Sequence, residues 1–294
     1  MRTAIIGGAG RMGAWFAKYF ASKGYPVVLF DSKAEDARSL ASRMRVEAAE
    51  SLREAVEGAD LVLVSVPIPV TSEVIRRAVG HMGEGAVLVE ISSMKAPTID
   101  AMRWAADRSV LTLSLHPLFG PAATSLKGQK MILAPVLNSD AELKAARRLF
   151  GEADVTTTNP LEHDRAMALV LSVPYALNIA FAGLLGEEKD ISMLKRMAGT
   201  TFTVQLALVG SVVGEDPHLV EALLKENELT SSYIERLIEE LRKLGDMMKG
   251  DRDEFHGYLD SLKRSMEGDP DYARADEMRY RMFMAVKEQA KEWR

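Results

Sequence analysis

The chain of 294 residues carries 37 basic and 42 acidic side chains, a formal net charge of -5, and no cysteine. This near balance leaves no electrostatic footprint for a nucleic acid, and the missing cysteines exclude disulfides, thiolate metal sites and a thiol nucleophile together. An apolar share of 47% against 27% charged residues describes a globular protein of about two domains rather than a disordered one.

The N-terminus runs straight into an apolar strand pattern without the core of a signal peptide, so a cytoplasmic protein is expected. Short apolar runs at Thr3–Gly7, Pro26–Phe30, Leu61–Val66, Ala86–Ile91 and Val110–Leu115 read as buried parallel strands, with two more at Met131–Pro135 and Asp154–Thr157. Helical patterns lie between them at Arg11–Ser22, Ala34–Arg43, Leu52–Val56, Val70–Val79, Thr98–Ala106 and Ala141–Leu149. Strand alternating with helix predicts an α/β Rossmann-type doubly wound parallel sheet.

Past Asn159-Pro160 no strand pattern recurs. Residues 164–185, 191–213, 217–248 (broken near Glu228), 252–266 and the tail from Ala273 read as helices, the tail with Arg279, Arg281, Lys287 and Lys291 on a solvated face. The expected organisation is a dinucleotide-binding domain over 1–160 and an all-α C-terminal domain over 161–294, the latter for substrate binding and dimerisation. Ala166 to Gly186 is uncharged and as long as a membrane span. It is the single such run and contains Ser172, Pro174, Tyr175 and Asn178, so it reads as a helix buried in a domain or subunit interface. A soluble homodimer formed through the helical domain, with no membrane and no nucleic-acid partner, follows as the expectation.

Gly8-Ala9-Gly10-Arg11-Met12-Gly13 fits G-x-G-x-x-G between the first strand and the first helix. Gly8 allows a tight turn, Gly10 lets the backbone approach a pyrophosphate, and Gly13 lets the helix lie close to the sheet. The first amides of that helix, about Arg11 and Met12, then face the phosphates. Asp31 ends the second strand, where a carboxylate binds both ribose hydroxyls and repels the extra phosphate of NADP; NAD is favoured, and Lys33 softens the preference. S-adenosylmethionine is the alternative ligand for such a loop and acid. Ser65-Val66-Pro67 and Glu90-Ile91-Ser92-Ser93-Met94-Lys95 close the next two strands and therefore line the ligand crevice near the nicotinamide.

His116 closes the following strand in a turn stiffened by Pro117, Gly120 and Pro121. Neutral imidazole takes a proton near pH 7, so His116 is the candidate general base, with Ser93 reaching the same substrate oxygen from the neighbouring strand end. A small-molecule substrate is implied, the hydride chemistry being the cofactor's. His81, His218 and His256 give no metal-ligand spacing, and no metal is expected. His163-Asp164 sits at a helix start and reads equally as a cap or as part of a site.

Together, Gly8–Gly13, Glu90 followed by Ser93-Met94-Lys95, and His116-Pro117-Leu118-Phe119-Gly120-Pro121 resemble the prephenate dehydrogenase family, especially its archaeal branch. The similarity covers nearly the whole chain, and His163-Asp164-Arg165 matches the His-Asp that opens the family's helical domain. The resemblance implies NAD-dependent oxidative decarboxylation of prephenate to 4-hydroxyphenylpyruvate in tyrosine biosynthesis, with arogenate as the sister substrate. His116 then accepts a hydrogen bond from the ring hydroxyl, with Ser93 as its partner. Two positions depart from the family: Thr203 stands where bacterial members hold an arginine for a substrate carboxylate, and Pro174 where many hold a histidine. The cations a dianionic substrate needs are left to Lys95, Lys127, Lys130, Arg165 or Arg196, with Thr124 and Ser125 as hydroxyl donors. These departures keep open a hydroxy acid as substrate, an adenosylmethionine-dependent transferase, or a non-catalytic cofactor-binding module.

Overall fold

A computed structural model describes residues 1–292. Trp293 and Arg294, the end of the expected second domain, and the Lys291 side chain lie outside the described residues. The fold comprises two compact units, Met1–Ala168 with Glu221–Leu229, and Leu169–Val220 with Thr230–Arg294.

The first unit is built on strands β1 (Thr3–Ile6), β2 (Val27–Phe30), β3 (Glu47–Ala48), β4 (Leu61–Val64), β5 (Val87–Glu90), β6 (Leu111–Pro117), β7 (Lys130–Leu133) and β8 (Asp154–Thr157). They form one sheet in the order β3-β2-β1-β4-β5-β6-β7-β8. Helices α1 (Arg11–Ser22), α2 (Ala34–Met44), α3 (Leu52–Val56), α4 (Ile68–Val79), α5 (Ala96–Ala106) and α6 (Ser139–Phe150) connect them, and α7 (Pro160–Met167) closes the unit. Side chains alternate across the sheet, as strand geometry requires. Ile5, Leu29, Leu61 and Leu63 meet Phe16, Phe20, Ala41 and Phe150 of α1, α2 and α6 on one face. Ala4, Ile6, Val62 and Val64 meet α3, α4 and α5 on the other. β1 and β4 are wholly buried, which explains their unbroken apolar sequences. Strand order reverses at β1, so the crevice beyond the ends of β1 and β4 is the topological switch point.

Every pairing in the sheet is parallel except β6 with β7. The sequence predicted a doubly wound parallel sheet and gave no direction for the strand that follows Pro121. The connection after Pro117 holds Gly120, Pro121 and a left-handed Gly128 (φ 76) and no helix, so it cannot supply the crossover that a parallel return needs. The two-residue β3 is too short for a periodicity signal.

In the second unit a π-helical turn (Ala168–Ser172) leads into α8 (Val173–Gly186), followed by α9 (Ile191–Met197), α10 (Thr200–Val213), α12 (Thr230–Met247), α13 (Arg252–Met266) and α14 (Ala275–Glu292). Helix α11 (Pro217–Lys225) leads into the segment that joins the first unit. Pro174 lacks the N–H that would continue the α-helical ladder, and the widened turn lies just before it. The expected single helix over 191–213 is two, separated by extended Ala198 and Gly199. The helical run Pro160–Gly186 spans 27 residues with a mean hydropathy of 1.9 in its apolar window, of which 22% is buried. Burial in a domain or subunit interface was the expectation for this run. Within the chain Leu169, Val170, Leu177 and Leu184 are exposed, while the polar Ser172 and Asn178 are buried. Asn178 donates to the Pro174 carbonyl and accepts from Gln205 at 2.8 Å, joining α8 to α10.

Candidate active site

The glycine loop follows β1. Gly7 is the residue in left-handed conformation (φ 79), and a Cβ there would lie 2.1 Å from the Ser65 carbonyl oxygen. The tight turn is therefore at Gly7, not at Gly8 as the motif suggested. Gly8 is instead wedged against Ile5 O and the Leu29 side chain, both 3.1 Å from its would-be Cβ. A Cβ at Gly13 would lie 2.1 Å from Gly7 O, so any side chain there would push α1 off the loop. Gly10 is the extended N-cap of α1 and offers no side-chain cap, so the positive end of the helix dipole, where Arg11 and Met12 begin α1, faces the loop. Asp31 lies beside the loop: its Oδ2 accepts the Ala9 N–H and its Oδ1 the Lys33 N–H, both at 3.0 Å. Ser65 and Val66 are half-buried beyond β4 and Pro67 caps α4, all at the switch point. Glycines only where a Cβ would fill the cradle, an uncapped helix start and an adjacent carboxylate fit a dinucleotide.

β5 and β6 run parallel in register, Glu90 beside Ser114. Ser93 and His116 follow those residues by three and two positions, so both stand at the same strand-end edge. His116 is 5% exposed, and Ser93 half-buried. His116 Nδ1 lies 3.0 Å from His163 Nε2, and His163 Nδ1 lies 2.7 Å from Asp164 Oδ1. Among the described residues no hydrogen bond engages His116 Nε2. Burial, with Lys95 and His163 nearby, pushes the His116 pKa well below its ordinary 6.5, so the ring is neutral at pH 7. Asp164 is held in turn. Its oxygens accept the Lys95 and Ala96 N–H groups at 2.8 and 2.7 Å, and its carbonyl accepts from Asn227 at 2.6 Å.

Lys95, expected at the substrate, is fully buried. Its ammonium donates to Glu90 Oε1 and to the Leu115 carbonyl, each at 2.7 Å. Glu90 also accepts from Ser114 Oγ, the Ser92 N–H and Thr98 Oγ1. The cation therefore holds the ends of β5 and β6 together from inside, and its charge is already matched. Burial pushes the Lys95 pKa down while Glu90 opposes the shift. Ser92, with its N–H on Glu90 and its Oγ on the Met94 N–H, shapes the same turn.

Thr124 and Ser125 line an open cleft of about 460 Å³ against α1, with Trp15, Lys18 and Glu152. His116 and Ser93 are not in that lining. Lys130 is exposed at the start of β7, Lys127 in the loop before it and Arg165 on α7; Arg196 in the second unit faces Asp190 at 3.8 Å. Thr203 donates its hydroxyl to the Gly199 carbonyl at 2.9 Å. Gly7 and Asn227 were missed as site residues by sequence reasoning. Gly7 directly precedes the motif and was legible there. Asn227 carries no local signal, because the chain returns it to Asp164 across 63 positions.

The sheet order, the glycine cradle and the acid at the end of β2 define a nucleotide-binding α/β protein. The model of the prephenate dehydrogenase nucleotide-binding domain matches residues 16–158, and that of the prephenate dehydrogenase dimerization domain matches residues 159–261. The chain belongs to the prephenate dehydrogenase family. It is 30% identical to the probable arogenate/prephenate dehydrogenase of Methanocaldococcus jannaschii over 85% of this chain and 58% of that protein. To the T-protein of Enterobacter agglomerans it is 28% identical over 85% of this chain and 64% of that protein, so the chain spans about three-fifths of the length of both relatives. A 4-amino-4-deoxyprephenate dehydrogenase of Streptomyces pristinaespiralis is 27% identical over 89% of this chain and 90% of that one. The crystal structure of A. aeolicus prephenate dehydrogenase with hydroxyphenyl propionate and NAD+ shares the fold at a TM-score of 0.73, with 22% identity over 92% of this chain and 99% of that one.

Proposed function

We infer that the chain is an NAD-dependent dehydrogenase that converts prephenate, or its amino counterpart arogenate, by oxidative decarboxylation. The observation that carries this reading is a neutral, buried His116 at a strand end of the nucleotide fold, with Nδ1 committed to His163 and Nε2 open. Bound NAD supplies the acceptor for the hydride that leaves the carbinol carbon of the ring. His116 takes the hydrogen bond of the ring hydroxyl and draws its proton as that carbon is oxidised. The proton returns to the same oxygen when carbon dioxide departs and the ring becomes aromatic. Prephenate and NAD thus give 4-hydroxyphenylpyruvate, carbon dioxide and NADH with atoms and charge balanced. Ser93, one strand over, orients the same hydroxyl. Asp31 binds the adenosine ribose and selects NAD over NADP, with Lys33 as a weak counterweight. Lys130 and Arg165 are the exposed cations of the first unit assigned to the substrate carboxylates, since Lys95 is consumed internally. The uncovered apolar faces of α8 and α10 are the dimer surface of the helical unit.

The test mixes protein and NAD with prephenate or arogenate in parallel and follows NADH absorbance, with carbon dioxide release as the second readout. NADH forming with one of the two names the substrate. No NADH with either overturns the reading.

A further inference from the structure

We propose that His163 and Asp164 are positioning residues that set the tautomer of His116, keeping its proton on Nδ1 and its lone pair on Nε2. The inference rests on the reading of His116 as the proton acceptor. A free histidine side chain prefers the opposite tautomer, with the proton on Nε2, which would offer the substrate hydroxyl a donor where an acceptor is needed. Which nitrogen carries the proton in a folded protein is decided by the partner of the other one. Here the chain of contacts has a direction. Asp164 presents an ionised acceptor: burial raises its pKa, but the hydrogen bonds from His163, Ala96 and Lys95 outweigh it and hold the carboxyl below its ordinary range. The carboxylate takes the Nδ1–H of His163 at 2.7 Å, which leaves His163 Nε2 as a lone pair. That lone pair, 3.0 Å away, takes the Nδ1–H of His116.

The anchor of this relay is well fixed. Asp164 receives both backbone amides at the start of α5, and Asn227 clamps its carbonyl from the segment that rejoins the first unit. His163 is 0% and Asp164 6% exposed, so water does not compete for the bonds. When His116 accepts a proton, its Nδ1–H already has a partner, and a carboxylate stands one imidazole away to offset the charge. No proton travels along the relay; its members orient and polarise, as an aspartate does behind a catalytic histidine.

The test uses the full chain. Long-range proton–nitrogen spectra of 15N-histidine protein, with the His116 signals assigned through His116→Asn, are expected to show Nδ1 protonated and Nε2 bare near neutral pH. His163→Leu removes the acceptor, whereas His163→Gln returns a carbonyl oxygen near the position of Nε2. Turnover in His163→Leu is expected to fall about 10–100-fold with KM and NAD affinity nearly unchanged, and to recover largely in His163→Gln. A purely structural role predicts instead that turnover follows the melting temperature in both variants. His116 protonated on Nε2 in the wild type overturns the relay, as does full turnover in His163→Leu. A wild-type chain inactive on prephenate and arogenate overturns the functional reading instead, and the tautomer spectrum then decides the relay by itself.

Discussion

The two units bury their apolar residues differently. In the first, β1 and β4 are wholly inside and two aliphatic-aromatic clusters cover both faces of the sheet. In the second, among the described residues, only Leu185, Val209 and Met247 of the apolar side chains are buried, while Leu177, Leu184, Leu208 and Val213 are between 43% and 59% exposed. The nucleotide unit is thus complete within one chain, and the helical unit carries surface that needs a cover. An apolar face of this extent marks an interaction surface, and the dimerization-domain match makes a second copy the cover we propose.

This contrast can be broken at several points. The largest effect is expected from His116→Asn, which removes the proton acceptor while leaving the fold: turnover should drop by about 10²–10⁴-fold, with NAD binding by calorimetry unchanged. Unaltered turnover would remove His116 from the chemistry. Next is the internal ion pair. Glu90→Gln leaves the Lys95 ammonium buried without its counter-charge, and stability by denaturant titration should fall by about 3–5 kcal/mol. A loss below about 1 kcal/mol would show the pair to be unimportant to the nucleotide unit.

Gly13→Ala should cost about 1–3 kcal/mol through overpacking against Gly7 O, and weaken NAD as α1 shifts. Its readout is the melting point with and without NAD, since a ligand bound only by the folded state raises it. Leu177→Lys together with Leu208→Lys places charge in the proposed interface. The assembly should dissociate at least about tenfold more readily by light scattering, while NAD still raises the melting point. Wild-type protein running as a monomer would show that no second copy covers the helical unit.

The smallest effect is a pH slope confined to the first unit. Folded His116 resists protonation, so as pH falls below about 6.5 the unfolded chain takes up a proton that the native ring refuses. The stability contribution is present above 6.5 and is lost toward acid, at up to about 1.4 kcal/mol per pH unit. His116→Asn should flatten that slope in melting-point measurements, and an unchanged slope would assign it to other groups.

Much of this was legible in the chain. Apolar runs such as Leu61–Val64 announced strands buried on both faces, and Gly13, Asp31 and His116 stood out by their positions relative to those strands. Three readings needed the fold. The cation of Lys95 points inward because Glu90, five residues earlier, ends the strand whose turn it closes. The sheet turns antiparallel at β7, where no helix lies between Pro117 and Lys130 to carry a parallel crossover. The apolar run through Ala166–Gly186 reads as buried in a domain or in a subunit interface, and the fold leaves it largely uncovered within the chain.

What the amino-acid order determined alone is local: which segments are strands or helices, where the backbone must be glycine, and which polar side chains stand at strand ends. These follow from periodicity, sterics and turn chemistry, which act over a few residues. Only the tertiary structure decided which buried polar groups meet. His116, the adjacent pair His163-Asp164, and Asn227 are far apart in sequence and converge because the sheet, the helix after it and a returning segment place them within hydrogen-bond reach. A hydrogen bond depends on separations in space, and no pattern along the chain encodes those.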